Sequence, residues 1–373
     1  MHEKECLVFL NLLSIGYRTV LKLRETFGTL ENALNATASD LLNIKGIRRK
    51  TIEAICEKRS SSCTEKEFAL LARTSFQAIT IDEPEYPEYL RQISTPPLVL
   101  YVWGTLAPAD SNAIAVVGTR NPTQYGKRIA HKISYDLAGQ DVTIVSGLAK
   151  GLDSEAHRGA LESGGRTIAV LGSGLLRLYP HENKRLAEKI AQNGAVIAEF
   201  PLETTPFRSN FPIRNRIISG LSMGTIVVEA AVKSGTLITA GFALEQNRTV
   251  FGIPGNIDQP SSEGVNSLIK QGASLIQSAD DVFRELPALK RSQTFSETKA
   301  PAEAAVKLSK EEKEIFDLIS TQPIHIDEIT EKSSRTAPEV SVLVLTLEIK
   351  QVIKQIPGKF YTINENVLAA ARG

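Results

Sequence analysis

The sequence predicts an α/β protein: a doubly wound, mostly parallel sheet with a helical domain before it and a winged helix after it. Three observations predict this. Between residue 113 and about 285, six apolar runs alternate with amphipathic stretches, the pattern of strands buried on both faces by covering helices. Before that region apolar residues recur at helical intervals, and after it short helices lead into a β-hairpin.

The chain has 373 residues, more than one hydrophobic core usually organises, so several domains are expected. Hydrophobic residues make up 42% and charged residues 23%, which argues against a disordered chain. No apolar run approaches the roughly 18 residues that span a bilayer. The opening residues lack a signal peptide's basic start and cleavage site, so a cytoplasmic protein without membrane contact is expected. Cys6, Cys56 and Cys63 form no CxxC motif and have no histidines at ligand spacing, so neither a disulfide framework nor a metal site is expected. Net charge is only +1, so any surface for a polyanion must be local.

Residues 1–72 read as short helices, with Leu7, Leu10, Leu13, Val20, Leu23, Phe27, Leu30 and Leu34 at helical spacing. Turns fall at Ser14 to Gly16 and at Ile44 to Arg48. The second opens into a basic helix start and resembles a SAM-like helix-hairpin-helix, although Arg48 stands where a second glycine is usual. Such a turn can offer backbone N–H groups to a DNA phosphate or can simply pack helices. Residues 76–286 form the α/β region. It begins with two short β-like runs around Pro84, Pro87, Pro96 and Pro97, read as an edge extension or connector. The strands proper are expected at Ala113 to Val117, Val142 to Val145, Thr167 to Leu171, Ala195 to Ala198, Thr225 to Val228 and Thr249 to Ile253. Residues 287–307 lose periodicity and read as a linker. Residues 308–373 carry helices over Glu311 to Ile319, Ile326 to Lys332 and Pro338 to Ile349, then a hairpin from Val352 to Ile363, the winged-helix pattern. The third helix is apolar and acidic, which favours protein contact or packing over groove reading.

In a doubly wound, Rossmann-like sheet, ligands bind beyond the carboxyl ends of the strands. The turns expected there are rich in glycine, hydroxyls and cations: Gly118, Thr119 and Arg120; Ser146, Gly147, Lys150 and Gly151; Gly172 to Gly174; and Lys233, Ser234, Gly235 and Thr236. Small residues let backbone approach an anion, and helix N-termini would add oriented N–H groups. The edge therefore calls for phosphate. No GxxxxGK[ST] is present, and Gly172-x-Gly174 lacks the third glycine of a dinucleotide fingerprint, so no nucleotide cofactor is expected. The segment Pro206 to Arg216 sharpens the reading. Three arginines and two phenylalanines interleave over it, among them Phe211, Arg214, Asn215 and Arg216, as phosphate neutralisation plus base stacking on a single strand requires. One of Arg214 and Arg216 is expected to meet the strand and the other to brace the loop, in either order. His157, a helical turn after Asp153, is expected to cap or orient that carboxylate.

These residues carry a resemblance. SerGlyLeuAlaLysGlyLeuAsp at 146 to 153 with Ala156 and His157, the run from Gly164 to Gly174, TyrPro at 179, the run from Phe211 to Leu221, that from Val227 to Ala240 and that from Val250 to Asn256 together look like the DprA/Smf DNA-processing proteins. Gly264, Asn266, Leu268, Ile269 and Gly272-Ala273 continue it. Thr119 stands where serine is commoner, and Leu176 where the family often has an acid. The resemblance implies a non-enzymatic protein that binds and protects single-stranded DNA during natural transformation, loads the RecA recombinase, and forms a homodimer through the Rossmann-like domain. It also implies that Gly118 to Arg120, the 146 to 151 loop and Phe211 to Arg216 hold the strand. The competing reading is a nucleoside-monophosphate phosphoribohydrolase, since Glu229 lies beside Lys233 to Thr236. In that family, however, the glutamate follows the glycines.

Overall fold

The computed structural model describes residues 2–59, 62–291, 308–320, 322–350 and 352–363. The chain divides into two units, residues 1–294 and 295–373.

The first unit opens with α1 (Glu3–Leu12), α2 (Tyr17–Phe27), α3 (Leu30–Asn35), α4 (Ala38–Leu42), α5 (Arg49–Lys58) and α6 (Cys63–Ala72). Both expected turns separate helices. Gly16 is the N-cap of α2, and Gly46 takes a positive φ of 80°, open to glycine without steric cost. Next come β1 (Phe76–Thr80), the short α7 (Glu88–Arg91) and β2 (Val99–Gly104), which pair antiparallel. They extend the edge of the main sheet through β2 and β6, as expected for the proline-rich stretch.

The six expected strands all form, within one residue of their anticipated ends: β3 (Ala113–Val117), β4 (Thr143–Ser146), β5 (Thr167–Leu171), β6 (Ala195–Ala198), β7 (Gly224–Val227) and β8 (Thr249–Gly252). A seventh, β9 (Ser274–Leu275), is two residues long and gave no periodic signal. The intervening helices are α8 (Gln124–Ala138), α9 (Leu152–Glu162), α10 (Lys184–Asn193), α11 (Asn210–Gly220), α12 (Gly235–Glu245) and α13 (Pro260–Lys270), and α14 (Ala279–Glu285) follows β9. The nine strands run in the order β1-β2-β6-β5-β4-β3-β7-β8-β9, parallel from β6 to β9. Strand order reverses between β3 and β7, the switch point at which doubly wound sheets bind ligands.

Alternation along the strands builds two cores. Ile114 and Val116 face α8, α9 and α14 together with Ile144 and Ile226. Ala113, Ala115 and Val117 face the opposite side, where a continuous cluster runs through α10, α11 and α12 into Leu7, Phe9, Leu10 and Val20 of the first helices. The helical segment and the sheet thus share a core. Polar contacts reinforce the junction: Asn11 Nδ2 donates to Glu199 O at 3.0 Å, and the buried Glu67 accepts from Leu202 N–H at 2.8 Å. Of the expected linker, residues 287–291 pack on this unit, with Leu289 buried and Asn112 bonded to Lys290 at both its N–H and its carbonyl. Residues 292–307 lie outside the described residues.

The second unit has its own core around Ile315, Ile329, Val340, Val344, Leu347 and Tyr361. Its elements are α15 (Lys310–Leu318), β10 (Ile324–His325), α16 (Ile326–Ser333), α17 (Ala337–Ile349), β11 (Ile353–Ile356) and β12 (Phe360–Ile363), a winged helix with the sheet order β10-β12-β11. The expected segment's tail, 364–373, lies outside the described residues. No helix among the described residues is long and apolar enough to cross a membrane.

Candidate nucleic-acid interface

The loops leaving β3, β4 and β5 meet the start of α11 at one recess, lined by Arg120, Gly147, Ala149, Lys150, Tyr179, Pro180, Phe211 and Arg214. At its centre is the half-buried ring of Phe211. The Arg120 guanidinium lies 5.4 Å from its centroid, that of Arg214 5.9 Å, and the Tyr179 ring 5.8 Å away at an interplanar angle of 57°. A Cβ on Gly172 would come within 2.9 Å of the Phe211 ring, so the glycine just past β5 makes the seat for that aromatic.

Arg214 is the keystone beneath. Buried at 4% exposure, its Nη1 donates to Gly147 O at 2.7 Å and to Val170 O, and its Nε to Asn215 Oδ1 at 3.2 Å. Asn215 Nδ2 in turn donates to Gly235 O at 3.4 Å, tying in the loop before α12. A Cβ on Gly147 would sit 2.6 Å from Arg214 Nη2 and 2.8 Å from Asp153 Oδ2, so the two charges close over this glycine from either side. Burial lowers the Arg214 pKa to about 10, opposed by attraction to Asp153. The guanidinium therefore remains charged at neutral pH. Burial likewise raises the Asp153 carboxyl, against the pull of Arg214 and the Ala149 N–H.

Several expectations need correction. Side chains of the protein occupy the N-termini of α8 and α12, whereas α9 and α11 begin without a side-chain cap. Thr123 caps α8, and the buried Glu229 accepts from Thr123 N–H at 3.0 Å and from its hydroxyl. Asp153 accepts from Ala149 N–H in the loop that precedes α9, and Ser234 accepts from Thr236 N–H at the start of α12. The recess itself is lined by side-chain cations and rings. Ser146 is fully buried, and its hydroxyl donates to Val116 O at 2.6 Å, which removes it from the surface. Of the two arginines, Arg214 lines the recess while also bracing its loops, and Arg216 does not reach it. Arg216 makes a bidentate bond to Glu199, 3.0 and 2.5 Å, because the helical turn from Arg214 points it away from the recess. Lys233, Ser234, Gly235 and Thr236 do not line the recess, for they follow β7 on the far side of β3. His157 does not meet Asp153. Its Nδ1 lies 2.7 Å from Thr167 Oγ1, which itself donates to Ile144 O, so the ring carries its proton on Nδ1. Burial, with Arg214 nearby, lowers its pKa to about 3 and keeps it neutral.

Gly118, Thr119 and Gly151 shape the recess without lining it. A Cβ on Gly118 would come within 2.2 Å of Leu152, and one on Gly151, at φ 85°, within 2.5 Å of Thr119 O. The loops after β3 and β4 therefore approach backbone to backbone. Thr119 is held by N–H donation to Glu229 O at 2.9 Å and by accepting from Leu152 N–H at 3.2 Å. Lys150 is exposed at the rim, and its ammonium bonds Glu182 at 2.6 Å, which raises its pKa. Sequence reasoning missed Tyr179 and Pro180 as lining residues, although TyrPro stood among the recognised motifs.

A doubly wound sheet with a cationic, aromatic recess on its carboxyl edge, in a chain that carries a helical segment before it and a winged helix after it, defines a nucleic-acid-handling class of architecture. Comparison with known families is specific. Residues 77–287 match the model of DNA recombination-mediator protein A, and the chain belongs to that family. Residues 299–359 match the DprA winged helix domain and residues 8–59 the SAM-like helix-hairpin-helix tandem. Among relatives, Protein Smf of Synechocystis is 36% identical over 93% of this chain and 95% of its own. DNA processing protein DprA of Bacillus subtilis is 45% identical over 56% of this chain and 71% of its own. Of solved structures, DNA processing protein A from Streptococcus pneumoniae superposes with a TM-score of 0.63 at 37% identity, covering 71% of this chain and 92% of that one. That from Helicobacter pylori, described for its single-stranded DNA binding mode, gives 0.51 at 29% identity, covering 57% and 97%.

Proposed function

We propose that this protein binds single-stranded DNA without sequence preference at the recess, protects it during natural transformation and hands it to the RecA recombinase, acting in the cytoplasm as a homodimer and without catalysis. The observation that carries the binding reading is Phe211, a half-buried ring set between two guanidinium groups beside the exposed Lys150. A base can stack on such a ring whatever its identity, while Arg120 and Lys150 meet phosphates. The single-stranded DNA binding mode of the Helicobacter pylori relative supports this reading, and the DprA/Smf resemblance supports transformation, RecA and the dimer. Against the hydrolase alternative stands the placement of Glu229, which is 3% exposed and bonded to Thr123 at the α8 cap rather than open to the recess.

Oligonucleotide binding followed by fluorescence anisotropy tests this. Phe211→Ala is expected to weaken every sequence alike, by about 5- to 100-fold, the range for one stacked base. Arg120→Ala is expected to reduce the slope of log affinity against log salt by about 0.7. Binding indifferent to salt, or confined to particular sequences, would overturn the reading.

A further inference from the structure

The carboxyl edge of the sheet bears a second aromatic and cation pair, away from the recess. Tyr125, the second residue of α8, is 39% exposed although its hydroxyl donates to Pro254 O at 3.1 Å. The Arg128 guanidinium lies 5.9 Å from its ring centroid, as Arg214 does from Phe211.

Sheet order places the two aromatics on opposite sides of the switch point. Phe211 rests on Gly172 just past β5, and Tyr125 bonds the loop leaving β8. Between them come the ends of β4, β3 and β7, whose loops carry Lys150, Arg120 and Lys233. Four interstrand steps of about 4.8 Å separate the two sites by roughly 19 Å. At about 3.4 Å per nucleotide of a stacked strand, that is roughly six nucleotides. Glu229 closes the α8 N-terminus midway, so phosphates on this stretch must meet side-chain cations rather than backbone amides. Rings at both ends with cations between them suit a strand, whereas a mononucleotide would fill one end only.

We propose that Tyr125, with Arg128, forms a second base-stacking subsite, and that a bound single strand crosses the carboxyl edge from Tyr179 and Phe211 over the loops after β3 and β7 to Tyr125. This rests on the recess being a strand-binding site. It gives Lys233, which lies outside the recess, a place along the path.

The experiment compares oligothymidylates of about three and about ten nucleotides on the full chain, by anisotropy, in wild type, Tyr125→Leu, Tyr125→Phe and Phe211→Ala, with lengths chosen below and above the span. Wild type is expected to bind the longer oligomer at least ten-fold more tightly. Tyr125→Leu should lose about 5- to 100-fold on the longer oligomer while binding the trimer as wild type does. Tyr125→Phe, which keeps the ring and loses only the bond to Pro254, should restore the longer oligomer's affinity. An iodouracil at one end of the longer strand should crosslink to the peptide containing Tyr125. If Tyr125→Leu binds the longer oligomer like wild type, or weakens both lengths equally, the second subsite is overturned while Phe211→Ala still reports on the recess. Were Phe211→Ala without effect on either length, the recess reading would fall and this one with it.

Discussion

Gly147 shows how closely the recess depends on single atoms. The Arg214 guanidinium and the Asp153 carboxylate occupy the space that a side chain there would need, and Arg214 is too buried to swing aside. Gly147→Ala should therefore cost about 1–3 kcal/mol as an overpacked site and weaken strand binding by straining the packing beneath Phe211. Chemical denaturation of the variant checks the first effect and anisotropy the second; a fully stable, fully active variant would refute the account. The glycine was visible in the sequence as a phosphate-loop residue. Its structural reason was not, because Arg214 lies 67 residues away along the chain.

At the level of elements, α9 and β5 are joined by the buried bond between His157 and Thr167. The histidine titrates near its ordinary 6.5 in the unfolded chain and near 3 in the fold. Between those values the unfolded state holds a proton that the folded state does not, so stability falls as pH drops through this window, by about 1.4 kcal/mol per pH unit. Above pH 6.5 the histidine is neutral in both states and contributes no slope. His157→Gln should remove this component, so the difference in unfolding free energy between wild type and variant should change steadily from pH 6.5 towards 4. A constant difference would show that the ring is not held neutral. Comparing the two proteins isolates the histidine from Asp153, whose raised pKa acts in the opposite sense. The start of α8, where Glu229 sits, shows why sequence alone does not tell an occupied helix N-terminus from an open one. A glycine-rich turn before a helix looks alike in sequence whether a bound anion or the protein's own carboxylate sits on it.

For the whole molecule, the two units have separate cores, so deleting residues 308–373 should leave single-strand affinity within about two-fold of wild type and the remaining unit cooperatively folded. A large loss of affinity would locate the strand site elsewhere. The exposed face of α17 agrees with this expectation. Val342 and Ile349 lie there at 63% and 73% exposure, where a groove-reading helix would present cations.

The sequence by itself determined the layers, because apolar runs buried on both faces must alternate with covering helices, and every expected strand from Ala113 to Ile253 formed nearly in place. It also determined the chemistry of the edge, since Arg120, Lys150 and Phe211 are what they are wherever the chain puts them. Their grouping, however, depended on tertiary structure. Only the folded sheet seats Phe211 on Gly172, sends Arg216 to Glu199, buries Ser146 and turns Glu229 onto α8. Periodicity records which face of an element is buried. Which distant charge then meets a given arginine is set by strand order, and no local pattern carries that information.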